Sequence, residues 1–305
     1  MARRRNAPGQ CQTGVVTTVQ KTAPAVAVTG ATGVVGGGVA RRLATAGLDQ
    51  RLVVRSPGRT PALPGAGVAV ASYGDAESAH SALTGIDTVF MVSGAEEPNR
   101  RADHLTFVDA AAAAGVRRIV YTSFFGAGPE STFLLARDHW YTEQRIRELG
   151  LEFTFLRDNL YADQFLNFAG PEGVLRGPAG DGRVAAVARA DVIDAAVAVL
   201  HAAALSPQQT PHDGVTYGLT GPQSLNLDEV AEIITRVTGR KIRYEPETLE
   251  QAYASRSGFG AADWQLDAWV STYTAIAAGE LDGVTDDVAL ITGRPPTSLE
   301  QLLGG

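Results

Sequence analysis

A chain of 305 residues that is 45% hydrophobic and 19% charged can bury a sizeable core, which excludes disorder over its whole length. Its 33 acidic and 26 basic residues give a net charge of −7, which argues against nucleic acid as the main partner. The single cysteine, Cys11, excludes an internal disulfide framework and the most apolar stretch is too short to span a membrane, so we expect a cytoplasmic protein that binds a small molecule.

The beginning of the chain lacks the pattern of a folded element. Met1–Arg5 is basic like a targeting sequence, but a signal peptide would continue with an apolar run, and residues 6–21 are polar. We therefore expect residues 1–22 to be a flexible tail. A first domain is expected over residues 23–160 and a smaller cap over residues 161–305.

The first predicted domain alternates short apolar runs with helical segments, at the spacing of βαβ units. Strands are predicted over residues 25–29, 51–55, 67–72, 87–92, 118–122 and 152–156. Helices are predicted over residues 39–46, 76–83, 99–114 and 133–149. This pattern predicts an α/β protein with a Rossmann-like, doubly wound parallel sheet.

The regular alternation ends after about Tyr161. Residues 170–182 contain five glycines and two prolines, which favours a loop. Asp191 is expected to cap a helix that runs to about Ala204. Residues 215–219 have the composition of a strand, and we expect this strand to return to the sheet.

The remainder of the chain is predicted to be mostly helical. Asn226 and Glu229 have the spacing of a capping box, which predicts a helix that begins there and ends at Gly239. A short strand is predicted over residues 241–244. These elements would form the smaller C-terminal cap, with a cleft between the cap and the sheet.

A glycine-rich segment, TGATGVVG over residues 29–36, follows the first strand and opens the first helix. Gly30 permits a sharp turn, Gly33 lets a diphosphate approach the backbone, and Gly36 lets the helix pack tightly on the strand. The amino terminus of the helix then offers unpaired N–H groups to the phosphates. The residues expected to bind the phosphates are Gly30, Thr32, Gly33, Val34, Val35 and Gly36.

The residue that follows the second strand bears on the choice of dinucleotide. An NAD site usually has Asp or Glu at this point, where it binds the ribose 2′-hydroxyl. Here the position is occupied by Arg55, with Arg59 close behind, and the nearby acid Asp49 precedes the strand. A guanidinium suits a 2′-phosphate, so we expect NADPH, with Arg55 as an ordinary surface charge as the alternative.

Four later motifs, taken together with the glycine-rich segment and Arg55, form the signature of a known family. They are Gly74-Asp75 after the third strand, Tyr121-Thr122-Ser123 in the fifth, His139-x-x-Thr142-Glu143 on the next helix, and Leu156-Arg157-Asp158-Asn159-x-Tyr161 after the sixth strand. With Arg55, these motifs resemble the NmrA-like atypical short-chain dehydrogenase/reductases. The most similar subgroup is the type 2 NAD(P)H:quinone oxidoreductases, near the triphenylmethane-dye reductases. The resemblance covers about residues 25–303.

The resemblance implies positions for the cofactor. Asp75 would lie beside the adenine, and Asn159 and Tyr161 would lie near the nicotinamide. The ends of the fourth and fifth strands would line the cofactor through Val92, Ser93, Gly94, Thr122 and Ser123.

The tyrosine–lysine motif of ordinary short-chain dehydrogenases is missing. In that motif, Tyr-x-x-x-Lys, the lysine lowers the pKa of the tyrosine, whereas this chain has Tyr141-x-x-x-Arg145. His139 and Tyr141 would point about 160° apart on a helix, so both cannot face one nicotinamide. The resemblance favours His139 beside the cofactor. Tyr141 as a general acid and His139 as an ordinary boundary residue remain the alternatives.

Other polar and aromatic residues admit two interpretations. Ser123 is expected to hydrogen-bond either a substrate carbonyl or the backbone at the strand end, and no Gly-x-Ser-x-Gly motif makes it a hydrolase nucleophile. The remaining histidines lack ligand spacing, so no metal site is predicted: His80, His104, His201 and His212. Four aromatic residues would form either a substrate-pocket wall or the core of the cap: Tyr253, Phe259, Trp264 and Trp269.

These observations predict an NADPH-dependent reductase of a quinone-like or other conjugated aromatic acceptor. His139, Asn159, Tyr161 and Ser123 are the candidate catalytic residues. One alternative is an NADP(H)-binding redox sensor of the NmrA type without turnover. Another is a ketone reductase or epimerase that uses Tyr141. Monomer and homodimer are both compatible with the sequence.

Overall fold

Seven parallel strands form the central sheet of the computed structural model, which describes residues 26–304. The predicted tail, residues 1–22, lies outside the described residues. In chain order, the strands of the described residues are β1 (Val26–Thr29), β2 (Gln50–Val54), β3 (Ala66–Val70), β4 (Thr88–Met91), β5 (Arg118–Phe124), β6 (Glu152–Asp158), β7 (Val174–Gly177), β8 (Arg183–Val184), β9 (Val215–Leu219), β10 (Leu225–Asn226) and β11 (Arg243–Pro246). The four strands outside the central sheet form two small two-stranded sheets, β8 with β10 and β7 with β11.

Helices cover both faces of the sheet and make up most of the C-terminal part. They are α1 (Val34–Thr45), α2 (Ala76–Leu83), α3 (Arg100–Ala113), α4 (Leu134–Glu148), α5 (Phe165–Phe168), α6 (Arg189–Leu205), α7 (Leu227–Thr238), α8 (Leu249–Arg256), α9 (Asp263–Ala277), α10 (Asp287–Thr292) and α11 (Leu299–Gly304). None of these helices within residues 26–304 is long and apolar enough to cross a membrane.

The strand order is β3-β2-β1-β4-β5-β6-β9, with every neighbouring pair parallel. The chain moves outward in one direction from β1 to β3 and then crosses back to β4, so the order reverses between β1 and β4. In open α/β sheets, ligands bind in the crevice outside the carboxyl ends of the strands at such a reversal. The predicted doubly wound sheet is confirmed, and its topology points to the carboxyl ends of β1 and β4.

Two apolar cores sandwich the sheet. The central strands β1, β4 and β5 are buried on both faces, and their sequences are mostly apolar. One core joins the sheet to α1 and α6, and the other joins it to α2, α3 and α4. A third core lies within the C-terminal part and also takes in Phe124 and Phe133, beside the carboxyl end of β5. The cap is therefore packed against the same edge of the sheet that the strand order indicates.

Several predicted elements are confirmed to the residue. Helix α2 and strand β9 have the predicted bounds, and β9 pairs with β6 in parallel. The capping box of α7 is formed by Asn226 and Glu229, and Gly239 ends the helix with a φ of 70°. The capping box and the terminal glycine are local signals, because each depends only on residues that are close together in the sequence.

Three predictions for individual elements were wrong. Helix α1 begins at Val34, five residues earlier than expected, because its three glycines are helical: Gly36 and Gly37 pack closely on the preceding turn, and Gly38 leaves room for Ile193 of α6. The segment over residues 170–182 contains β7, which pairs with β11. Asp191 does not cap α6; it lies buried in the first turn and accepts a hydrogen bond of 2.6 Å from the Thr297 N–H.

Candidate functional site

Two positions of the glycine-rich turn between β1 and α1 leave no room for a side chain. Gly30 has a φ of 62°, and a Cβ there would lie 3.0 Å from the Cβ of Val92. A Cβ on Gly36 would lie 2.5 Å from the carbonyl oxygens of both Thr29 and Gly30. Glycine at these positions therefore holds α1 against β1 and keeps the crevice between β1 and β4 open.

The amino terminus of α1 is open to a ligand. Its N-cap is Gly33, so no side chain caps the helix. Thr32, Gly33 and Val34 are exposed, whereas Val35 faces the core. The first turn thus presents unpaired N–H groups beside a glycine cradle, which fits the diphosphate of a dinucleotide.

Arg55 and Asp75 lie on the same side of the crevice, after β2 and before α2. Arg55 is exposed and makes no ion pair with any of residues 26–304. Asp75 is the N-cap of α2, and its carboxylate accepts a hydrogen bond of 3.2 Å from the Ser78 N–H. The bonds from Ser78 lower the pKa of Asp75 below its usual value. A structural role thus accounts for the Asp75 carboxylate, whereas Arg55 is available to a ligand.

The segment Val92–Gly94, which follows β4, is held by side chains from β1, β5, α3 and the loop after β3. Three residues carry six main-chain polar groups, and five of the six are hydrogen-bonded at 2.6–3.0 Å. The sixth group, the carbonyl oxygen of Ser93, has no hydrogen-bond partner among residues 26–304. The segment is therefore a braced wall with one free acceptor. The bracing side chains are those of Thr29, Tyr73, Thr122, His104 and Arg100.

His139 lies directly behind this brace. Its side chain is 5% exposed, and both ring nitrogens are 2.9 Å from a partner: Nε2 from the guanidinium of Arg100 and Nδ1 from the hydroxyl of Tyr121. A guanidinium only donates, so Nε2 accepts and Nδ1 carries the proton. Burial and the charge of Arg100 hold the pKa of His139 well below its usual value. The ring is therefore neutral, and both of its nitrogens are engaged within the protein.

Ser123 has a different partner from either of the two expected ones. Its hydroxyl donates a hydrogen bond of 2.6 Å to the carboxylate of Glu143. Glu143 is fully buried and also accepts two hydrogen bonds from Arg157, at 2.7 and 2.8 Å. A buried carboxylate requires such donors, which explains why the serine hydroxyl turns toward the helix and away from the strand end.

The segment after β6 is anchored by two of the predicted residues. The side chain of Asn159 donates to the Leu281 carbonyl at 3.1 Å and accepts from the Leu160 N–H at 2.7 Å. The hydroxyl of Tyr161 donates to the carboxyl of Asp158 at 2.8 Å. Burial raises the pKa of Asp158 to about 8, so this carboxyl group is mostly protonated at neutral pH.

Tyr141 lies on the opposite face of α4 from His139, as the helical spacing predicts. It is 37% exposed, and the guanidinium carbon of Arg101 lies 4.6 Å from its ring centre. Arg145, which replaces the usual lysine, pairs with Asp109 at 2.7 Å. Tyr141 and Arg145 therefore belong to the surface of the helix.

A cavity of about 510 Å³ opens at the carboxyl edge of the sheet. Its walls include Glu96 from the loop after β4, Leu160 from the segment after β6, and residues of the cap. The indole N–H of Trp269 on α9 donates to Glu96 at 2.9 Å, which joins the cap to the loop. Two of the four aromatic residues singled out from the sequence, Phe259 and Trp269, line this cavity. Its six aromatic rings are those of Phe133, Phe165, Phe168, Phe259, Trp269 and Tyr273.

Sequence reasoning missed the residues behind the walls. Most of these side chains are far along the chain from a group that they hydrogen-bond, so no spacing rule in the sequence connects the two. Tyr73 and Arg100 were not singled out at all, and no role was predicted for His104, Glu143 or Asp158. His104 was noted as a scattered histidine, and the structure shows it neutral and bonded to the Gly94 N–H at 2.8 Å. Among residues 26–304, no group of three or more metal-binding side chains is present.

Known proteins similar to this chain span nearly its whole length. The profile of the NmrA-like family matches residues 22–265. Quinone oxidoreductase 2 of Escherichia coli K12 is 31% identical over 283 residues, covering 90% of this chain and 96% of that protein. NAD(P)H azoreductase of Xenophilus azovorans is 31% identical over 276 residues, covering 88% and 93%. The crystal structure of an NADPH-dependent quinone oxidoreductase from Escherichia coli, complexed with NADPH, matches with a TM-score of 0.81 at 30% identity, covering 91% and 98%.

Proposed function

This chain belongs to the NmrA-like family, and from that premise we propose that it is an NADPH-dependent reductase of a quinone or another conjugated aromatic acceptor. The observation that carries the proposal is the cavity of about 510 Å³ with six aromatic rings, at the same sheet edge as the glycine cradle. Such a cavity is within the usual size range of small-molecule sites, and its rings suit a planar aromatic ligand. The quinone and azo-dye reductases among the relatives support the same class of acceptor.

The cofactor would be held along the carboxyl edge of the sheet. Gly30, Gly33 and the open first turn of α1 would bind the diphosphate, and Arg55 would bind the 2′-phosphate. Asp75 would lie beside the adenine. The braced segment Val92–Gly94 would form the wall along the dinucleotide, with the Ser93 carbonyl oxygen as a hydrogen-bond acceptor for a ribose hydroxyl.

When bound, NADPH supplies the hydride, and the residues of this chain align the two reactants. Reduction of a quinone leaves a hydroquinone anion, which is far less basic than the alkoxide left by a ketone. The product can therefore take its proton from water, and a tuned tyrosine acid is not required. This chemistry is compatible with the exposed position of Tyr141.

The four candidate catalytic residues would then position the walls of the site. His139 supports the brace through Arg100, and Ser123 is bonded to Glu143. Asn159 anchors the segment after β6 to Leu281 of the cap. Their polar groups are all engaged within the protein, so we assign them to alignment of the reactants and not to proton transfer.

Steady-state oxidation of NADPH with a panel of quinones and azo dyes tests the proposal. We expect turnover with at least one conjugated aromatic acceptor and none with simple ketones. Tight NADPH binding without turnover on any acceptor would contradict the reductase and favour a redox sensor. Turnover of ketones that depends on Tyr141 would favour the ketone-reductase alternative.

A further inference from the structure

Arg189, the first residue of α6, has a guanidinium group without hydrogen bonds to any of residues 26–304. Its side chain is only 21% exposed, and its Nε is buried with no partner. The nearest charge is the carboxylate of Asp163, 3.7 Å from Nε, and the ring of Tyr161 lies 5.9 Å from the guanidinium carbon. A buried N–H donor without an acceptor is costly, and Nε of Arg189 is such a donor. Asp163 is near enough for an ion pair but not for a hydrogen bond, so the guanidinium lacks a hydrogen-bond acceptor.

The packing of α6 against α1 brings Arg189 to the glycine cradle. Both helices start at the carboxyl edge of the sheet, because α1 follows β1 and α6 precedes β9. They touch where Gly38 leaves room for the side chain of Ile193. One helical turn back on each helix, the start of α6 lies beside Val34, the first residue of α1.

The ring beneath Arg189 supports the same placement. Tyr161 packs against the apolar core that contains Ala31 of the glycine-rich turn and Val35 of α1. Arg189 therefore lies between the glycine-rich turn and the segment after β6. In the proposed function, these are the binding sites of the diphosphate and of the nicotinamide half of the cofactor.

We propose that the guanidinium of Arg189 binds the diphosphate of the dinucleotide, an inference that rests on the proposed function. The segment Gly30–Gly36 contains no basic residue, so its N–H groups alone would face the two negative charges. A guanidinium binds phosphate oxygens through paired, charge-assisted hydrogen bonds. In this arrangement Arg189 turns from Asp163 toward the diphosphate, and its unused donors find acceptors.

Titration calorimetry with NADPH and with NADH separates this role from that of Arg55. NADPH and NADH share the diphosphate, so Arg189→Met should raise both dissociation constants by the same factor, about tenfold or more. Arg55→Met should weaken NADPH only. The matched control is Arg236→Met on α7, an exposed arginine paired with Glu300, which should leave both constants unchanged.

A second variant guards against a folding defect at the start of α6. Arg189→Lys keeps the positive charge but not the paired donors, so both dissociation constants should fall between those of the native protein and of Arg189→Met. Native affinity for both dinucleotides in Arg189→Met, or in Arg189→Lys if the methionine variant does not fold, would overturn the inference and leave the reductase proposal intact. If the native protein binds neither dinucleotide, the proposed function itself is wrong.

Discussion

At the residue scale, we expect Arg55 to determine the choice between NADPH and NADH. Its side chain is exposed after β2 and has no ion-pair partner among the described residues, so a 2′-phosphate would meet little competition. Arg55→Asp should erase or reverse the preference for NADPH, by about tenfold or more in affinity. Titration of both dinucleotides checks this expectation, with Arg236→Asp as the control. Equal affinities of the native protein for the two would contradict it.

Tyr141 provides a test of where the proton comes from. A general acid contributes about 10²–10⁴-fold to the rate, whereas a surface tyrosine contributes almost nothing. Because Tyr141 is on the exposed face of α4, Tyr141→Phe should retain most quinone reductase activity. The kcat of the purified variant with saturating NADPH is the measurement. A hundredfold loss of kcat with intact NADPH binding would show that Tyr141 acts as a general acid, with Arg145 in the place of the usual lysine.

Asp158 makes stability depend on pH in an unusual direction. Burial raises its pKa from 3.8 to about 8, so between these values the native carboxyl group keeps a proton that the unfolded chain has released. The contribution of Asp158 to the free energy of unfolding is therefore fully present below about pH 4 and is lost as the pH rises toward 8. Asp158→Asn is neutral throughout and still accepts a hydrogen bond from Tyr161.

Thermal unfolding of the native protein and of Asp158→Asn, measured from pH 5 to pH 8, provides the test. We expect the melting temperature of the native protein to fall relative to that of the variant across this range. Parallel curves would show that the carboxyl group titrates normally.

The contact between α1 and β1 is tested at the scale of elements. Gly36→Ala would place a Cβ 2.5 Å from two carbonyl oxygens, so α1 must move away from the strand. Overpacking of this kind costs about 1–3 kcal/mol, and we also expect a loss of dinucleotide affinity, because the first turn of α1 forms the cradle. Gly67→Ala is the control, since no heavy atom lies within 4 Å of its Cβ. Equal melting temperatures for the two variants would contradict this account.

The same elements show how far sequence reasoning reaches. The glycine-rich turn was predictable because a positive φ at Gly30 and the close approach at Gly36 are demands on single residues. The start of α1 was not, because consecutive glycines disfavour a helix locally, and the packing that requires Gly38, its contact with Ile193 of α6, involves a residue far along the chain. Strand β7 was not predicted for a similar reason. Its local composition is rich in glycine and proline, and the strand forms because it pairs with β11.

The residues of the candidate site also differ in how well the sequence predicts them. Arg55 was expected, because its position follows directly from the end of β2. The brace was not predictable, because its hydrogen bonds join residues up to 63 positions apart, as between Thr29 and Val92. Which polar side chains meet behind a parallel sheet depends on the strand order, and no spacing in the sequence encodes that order.

At the scale of the whole molecule, the hydrogen bond from Trp269 to Glu96 joins the cap to the loop after β4. Trp269→Phe keeps an aromatic wall but removes the N–H donor at 2.9 Å. We expect the KM for the aromatic acceptor to rise about two- to tenfold, while the dissociation constant for NADPH stays the same. Trp264→Phe is the control, because Trp264 lies on the same helix and does not line the cavity. A change of NADPH affinity in Trp269→Phe would contradict this separation of the two sites.

The braced wall after β4 has a consequence for the way a ligand enters the crevice. The amide protons of Val92, Ser93 and Gly94 lie beyond the end of a strand, where exchange with solvent deuterium is normally rapid. Here each is held by a buried or half-buried side chain, so we expect these amides to exchange as slowly as those within the sheet. One side of the crevice then presents a fixed surface, and a dinucleotide that binds there must adapt to the wall because the wall does not adapt to the ligand.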